Sequence, residues 1–272
     1  MNEQSKIAIA LQLQSLILER DFDTKIRKAK DLLLLPPESV RPLDLAQTET
    51  LKTPGRPEGY KTVPPREVPS RRDFRKEESR LNFLHAIANI ELLAIELPAL
   101  ALCRFGCEDV QFVGGQFQLI AEEAKHFALL KERISELGGT YGSLPVHHSL
   151  WENAWRCQSF LEHQIIIPCY FEARGLDATP QAIEAFFSVG DDRSAKILQV
   201  IHTDEIGHVK LGVNFLDVQA KRLGESREAL YQKTVKAFFG GRINRAMPLN
   251  RESRLKAGFG DDLMAVLETD RG

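Results

Sequence analysis

Residues 112–137, FVGGQFQLIAEEAKHFALLKERISEL, decide the fold. Phe112, Leu119, Ile120, Phe127, Leu130, Ile134 and Leu137 recur at three- and four-residue intervals, the period of an α-helix with one buried stripe. Gln116, Glu123 and His126 fall on the same stripe, and Gly138-Gly139 stops the helix. A carboxylate aligned with core leucines is costly to bury unless something neutralises it, so Glu123 asks for a cation.

The pattern occurs three more times. A helix over about 78–104 aligns Leu84, Ile87, Ala88, Glu91, Ile95, Pro98 and Leu102. Another, over about 149–173, aligns Ala154, Cys157, Leu161, Ile165, Pro168, Cys169 and Glu172. After a turn at GLDATP and a short helix opened by Thr179-Pro180, the last runs over about 191–223 with Leu198, Ile201, Glu205, His208, Val209, Gly212 and Phe215 in line. Helices of this size are roughly 40 Å long, ordinary for a bundle. No strand pattern competes, so the fold class is all-α, a four-helix bundle over residues 76–223.

Residues 3–34 read as one N-terminal helix, the core of a segment 1–35. Eight of the thirteen prolines lie between Pro36 and Pro69, which makes 36–75 an extended arm. The charge run Arg71–Arg80 reads as a solvated helix start. Residues 224–272 form a C-terminal helical extension. Its Arg242, Arg245, Arg251, Arg254 and Lys256 face a single Glu252, a solvated tail with contact to RNA as the alternative.

The 272-residue chain carries 36 Lys and Arg against 38 Asp and Glu, so no global field calls for nucleic acid or an anionic membrane. It has no unbroken run of about 18 apolar residues, and no membrane helix or membrane partner is expected. The start MNEQSKIAIALQLQSLILER has charges on both sides of a short apolar stretch and no small-residue cleavage site, which points to a cytoplasmic protein. Cys103, Cys107, Cys157 and Cys169 read as free thiols, and no CxxC pair suggests a zinc ribbon.

Each of the four stripes carries a glutamate. Two belong to Glu123-Ala-Lys-His126 and Glu205-Ile-Gly-His208, and a Glu-x-x-His spacing sets both side chains about 60° apart on one helix face. Glu91 precedes Glu123 by 32 residues and Glu172 precedes Glu205 by 33, a lone Glu followed by Glu-x-x-His, twice. Helix bundles build carboxylate-bridged dimetal centres from this inventory. Four carboxylates balance two divalent ions, and the two imidazoles complete an uncharged site. Oxygen and imidazole donors suit iron, with manganese as the alternative, rather than structural zinc. Glu96 is the rival of Glu91, but it lies about 140° around an ideal helix and off the stripe.

At these residues the chain resembles the ferritin-like superfamily, and in particular a bacterial ferritin-like family known as domain of unknown function 455. The resemblance rests on LNFLHAIANIELLAIELPAL, AEEAKHFALL with GGTYG after it, WENAW, FEARGLD and HTDEIGHVKLG, and extends to the tail motif PLNRESRLKAGF. It implies a four-helix bundle with ligands at Glu91, Glu123, His126, Glu172, Glu205 and His208. Di-iron oxidases and oxygenases often carry an acidic residue directly before the Glu of Glu-x-x-His, which can orient the histidine of the opposite helix. Glu122 and Asp204 hold that position here.

His85 and His202 flank the expected site as outer-layer residues, His202 with a ligand role as the alternative, and Tyr170, next to Phe171 and Glu172, is read as packing, with a pocket wall or a redox-active tyrosine as the alternative. The expected function is a non-haem dimetal oxidoreductase that activates O2 or peroxide. Glu123 and Glu205 would bridge the metals, Glu91 and Glu172 would be terminal, and each histidine would hold one metal. The substrate would be a small molecule or a modified nucleoside and the electrons would come from a separate donor, with a homo-oligomer compatible. A ferroxidase and a non-catalytic metal-binding scaffold are the competing readings, because this fold class hosts all three.

Overall fold

Side-chain caps in the sequence set most helix starts in the computed structural model, which describes residues 3–36, 38–71, 73–241, 243 and 248–269. The chain is all-α. Among the described residues the β-type contacts are two isolated bridges, Val40 with Cys107 and Thr62 with Val146. The chain divides into two compact units, Met1–Trp155 and Arg156–Gly272. Arg72, Arg242 and Arg245, which the sequence assigns to charged stretches, lie outside the described residues.

The first unit contains α1 (Glu3–Leu18), α2 (Phe22–Asp31), α3 (Leu45–Glu49), α4 (Glu77–Phe105), α5 (Val110–Glu136) and α6 (Ser149–Arg156), whose last residue begins the second unit. The single N-terminal helix expected over 3–34 is broken after Leu18. The Glu19 carboxylate accepts the backbone N–H groups of Arg20 and Asp21 at 2.8 and 3.0 Å, and Asp21 caps α2 through the Thr24 N–H at 2.8 Å. These local bonds satisfy backbone donors that would otherwise extend the first helix.

Helix α4 is buried nearly all round. It packs on α5 on one side and α1 on another. Leu84, Leu92, Leu93, Ile95, Leu97, Leu100 and Leu102 are all buried, each contributing roughly 1.5–3 kcal/mol of transfer free energy. By length and composition alone α4 is apolar enough to cross a membrane, although Glu91 and Glu96 interrupt its apolar run. Its apolar window is 83% buried inside the protein, so α4 is a core helix.

The proline-rich stretch packs against its own unit. Val40 and Cys107 exchange backbone hydrogen bonds at 2.8 Å, the Leu43 N–H reaches the Cys103 carbonyl, and the Val63 N–H reaches the Val146 carbonyl. Trp151 donates its indole N–H to the Lys52 carbonyl at 2.9 Å. Gly55 lies so close to α1 that a β-carbon there would sit 2.1 Å from the Leu18 carbonyl oxygen, so only glycine fits. The arm is therefore a strap built on backbone hydrogen bonds and a few buried anchors such as Leu43 and Leu51.

The second unit contains α7 (Phe160–Gln164), a π-helical segment Ile165–Glu172, α8 (Ala173–Ser188), α9 (Asp192–Leu223), α10 (Arg227–Phe238), α11 (Arg251–Lys256) and α12 (Asp261–Thr269). The single helix expected over 149–173 does not form. Ser159 caps α7 through the Glu162 N–H, and the Glu162 carboxylate accepts the Gln158 N–H, a reciprocal start signal that separates α7 from α6. The turn expected at GLDATP is helical instead, since α8 runs through Pro180. Pro180 costs one ladder bond, and the tertiary bonds that hold Asp177 offset it. Helix α9 matches its expected span. Asp191 caps it through the Ser194 N–H, and Gly224 ends it in the left-handed conformation.

Candidate metal centre

Glu91 on α4 and Glu123 and His126 on α5 converge inside the first unit. All three are buried, at 3%, 0% and 0% exposure. His126 Nδ1 lies 3.2 Å from Glu91 Oε2 and 3.3 Å from Glu123 Oε2, and one ligand atom from each residue falls within 4.8 Å of the others. Asp109 starts α5 by accepting the Phe112 N–H, which fixes the register that turns Glu123 and His126 towards α4.

The electrostatics of this triad are those of a site built around positive charge. Burial works against protonation of His126, but hydrogen bonds to Glu123 and Glu91 outweigh it and carry the imidazole up to about 11. Burial, and then the Glu123 charge, push Glu91 well above the usual carboxylate range, with His126 pulling it back. A proton is thus held where two carboxylates and an imidazole meet. A divalent cation displaces such a proton and satisfies all three donors, so this cluster fits a metal ion.

The second unit carries the other expected ligands. Glu205 and His208 lie one turn apart on α9, with His208 Nδ1 3.8 Å from Glu205 Oε2; His208 is buried and Glu205 half-buried. Glu172 is the last residue of the π-helical segment and is half-buried. Glu172, Glu205 and His208 do not all come within 4.8 Å of one another. The π-helical segment packs on α9, and Gly212 permits the approach: a β-carbon there would meet Pro168 at 2.8 Å and Cys169 Sγ at 3.2 Å. A π-helical turn within a helix frequently marks a functional site.

A family model described as "Protein of unknown function (DUF455)" matches residues 4–265. The chain belongs to the DUF455 family. An uncharacterized protein of Haemophilus influenzae strain Rd is 35% identical over 216 residues, which cover 75% of this chain and 72% of the relative. No solved structure matches the chain.

In this DUF455 chain the outer-layer residues expected from the sequence have varied surroundings. His85 is buried, accepts the Gly142 N–H through Nε2 at 2.9 Å and stacks on Tyr141; burial lowers it to about 4, so it is neutral and anchors the turn after α5. Glu122 is half-buried and accepts from Gln118 Nε2 at 2.7 Å. Asp204 is half-buried on α9. His202 Nε2 lies 3.1 Å from Ser253 Oγ on α11, and burial lowers its pKa. Tyr170 is buried among Phe171 and Phe239.

Glu96 faces a different environment from Glu91. It is fully buried and ion-paired to Lys25 of α2 and to Arg56 of the proline-rich strap, whose two terminal nitrogens reach its two oxygens at 2.6 and 2.8 Å. Burial raises the Glu96 carboxyl, but Arg56 and Lys25 outweigh it and hold the group below its ordinary value. Long basic side chains are rarely buried unless paired, so neither Lys25 nor Arg56 stands out in the sequence as a core residue. The one signal was Glu96 itself, a second core carboxylate that the metal ligand set left over. Arg254 was likewise read as tail charge and is 1% exposed, paired with Asp177.

Proposed function

We propose that this DUF455 protein is a non-haem dimetal carboxylate oxidoreductase, with iron as the expected metal and manganese as the alternative. The observation that carries the reading is the buried Glu91, Glu123 and His126 cluster, two carboxylates and an imidazole whose ligand atoms converge in a dry core. The repeated sequence arrangement, Glu172 followed by Glu205 and His208, supplies the second half of the ligand set. A reduced divalent pair bound by these six residues would supply the electrons that activate O2 or peroxide.

The protein's own side chains have separate tasks in this reading. His126 and His208 would each hold one metal, Glu123 and Glu205 would be shared between them, and Glu91 and Glu172 would complete the ligand set as terminal carboxylates. The aliphatic residues around Glu91 keep water from the site, which strengthens each charge interaction there. Four carboxylates match the charge of the two cations, so neither the loaded site nor its surroundings carries an excess. The substrate would be a small molecule or a modified nucleoside, and the electron donor a separate protein or small reductant.

The test is to load the protein with ferrous iron without oxygen, mix it rapidly with O2, and follow absorbance and oxygen uptake. Oxygen consumption with a transient optical band supports the oxidoreductase. Loaded protein that leaves O2 untouched overturns it. Accumulation of ferric mineral in a large assembly would instead indicate an iron-storing role.

A further inference from the structure

The backbone carrying Glu172 is braced by side chains from the C-terminal helices. In the π-helical segment the Ala173 N–H reaches back to the Pro168 carbonyl, five residues earlier, so the ladder around Glu172 is out of α-helical register. Two side chains take up carbonyls on either side of it. The Tyr231 hydroxyl donates to the Cys169 carbonyl at 3.4 Å, and Arg254 Nη2 donates to the Ala173 carbonyl at 3.1 Å. Asp177, one turn further along α8, accepts Arg254 Nε at 2.9 Å and Nη2 at 2.7 Å, and also the Asn250 N–H at 2.8 Å. The Arg254 guanidinium lies over the Phe259 ring, and that ring meets Tyr231 edge-on. Tyr231, Phe259 and Arg254 therefore form one continuous brace against residues 169–177.

A buried Arg–Asp pair adds little net stability, because desolvation offsets most of its attraction. What the forked, bidentate contact does supply is a fixed position. Glu172 needs that. It has no histidine three residues on to share its helix face, so its placement depends on the backbone that carries it. We infer that Arg254, backed by Tyr231, is a positioning residue for the Glu172 ligand, so that the C-terminal extension is part of the metal site's geometry; this rests on the dimetal reading above.

The test uses the full-length, metal-free protein titrated anaerobically with Co(II), reading affinity and the visible ligand-field bands. The variants are Arg254→Lys, which keeps the charge and loses the fork, and Tyr231→Phe, which removes only the hydroxyl. Lys256→Ala, on the exposed side of α11 and paired with Glu252, is the control. Wild type and the control should take up about two equivalents. Arg254→Lys should take up the first as wild type does and the second about tenfold more weakly or worse, with altered bands, and Tyr231→Phe should move the same way by less. Circular dichroism and thermal melts establish that each variant is folded, and Tyr231→Phe decides alone should Arg254→Lys not fold. Folded variants with wild-type affinities and bands overturn the positioning role, as does an equal weakening of both equivalents. Wild-type protein that binds no cobalt overturns the dimetal reading and this inference with it.

Discussion

Two glutamates five residues apart on α4 should behave in opposite ways when each is replaced by glutamine in the metal-free protein. Glu96 is the anion between Lys25 and Arg56 in a dry core, and Glu96→Gln leaves two cations facing a neutral amide. Removing one partner of a buried ion pair costs about 3–5 kcal/mol. Two stranded cations would push the cost higher, but Lys25, already lowered to about 8 by burial, can shed its proton and limit the loss to that range. Glu91 is different, since burial and then the Glu123 charge push its carboxyl well above the usual carboxylate range. Glu91→Gln puts a neutral amide of the same shape where the charged form is disfavoured and should change stability by less than about 1 kcal/mol. Urea denaturation at pH 7 in the presence of a chelator, followed by circular dichroism and tryptophan fluorescence, measures both. Glu96→Gln within about 1 kcal/mol of wild type, or Glu91→Gln as damaging as Glu96→Gln, would refute the reasoning.

Other consequences are more local. Lys25 titrates near pH 8 in the folded chain and near its ordinary 10.5 when unfolded, so between those values the unfolded state binds more protons and stability rises with pH. The gain, roughly 1–3 kcal/mol, is lost as pH falls through 8 and should be absent from Lys25→Met; equal urea midpoint shifts from pH 7.5 to 10 in both proteins would count against it. Gly212→Ala should destabilise by about 1–3 kcal/mol, because the methyl group meets Pro168 at 2.8 Å and the helix-propensity gain of about 1 kcal/mol does not compensate. A thermal melt at or above the wild-type midpoint would contradict that. Burial holds the Cys103 and Cys169 thiols well above their usual range while Cys107 is half-buried, so native protein treated with iodoacetamide should be labelled first at Cys107, as peptide mass mapping would show.

Where helix boundaries are set by local chemistry they were readable in the sequence. Asp109, Asp191 and Gly224 each mark a terminus with a residue whose side chain or backbone does the capping, and the three- and four-residue apolar spacing carried α4, α5 and α9. The same periodicity misled over 149–173, because a stripe continues through a break if the next helix buries the same side, and it is the Ser159 and Glu162 bonds that mark the break. The π-helical register around Pro168 leaves no mark in spacing, since it shifts the ladder by one residue and the tertiary contacts at Gly212 and Tyr231 decide it. The strap over 38–71 was legible as extended but not as packed, for its anchors are backbone hydrogen bonds and an ion pair to a glutamate 40 residues away. For the candidate site, Glu91, Glu123 and His126 stood out because charge on an apolar stripe is expensive. Arg254 did not, because an arginine in a basic tail looks solvated until Asp177 is placed beside it.

The metal centre itself is tested most directly by elemental mass spectrometry on protein purified without added metal, beside the double variant Glu123→Ala/Glu205→Ala. About two equivalents of iron or manganese per chain, lost in a double variant that still folds, is the result predicted here. Wild-type protein that holds no metal even after anaerobic reconstitution with ferrous or manganous ions would contradict it.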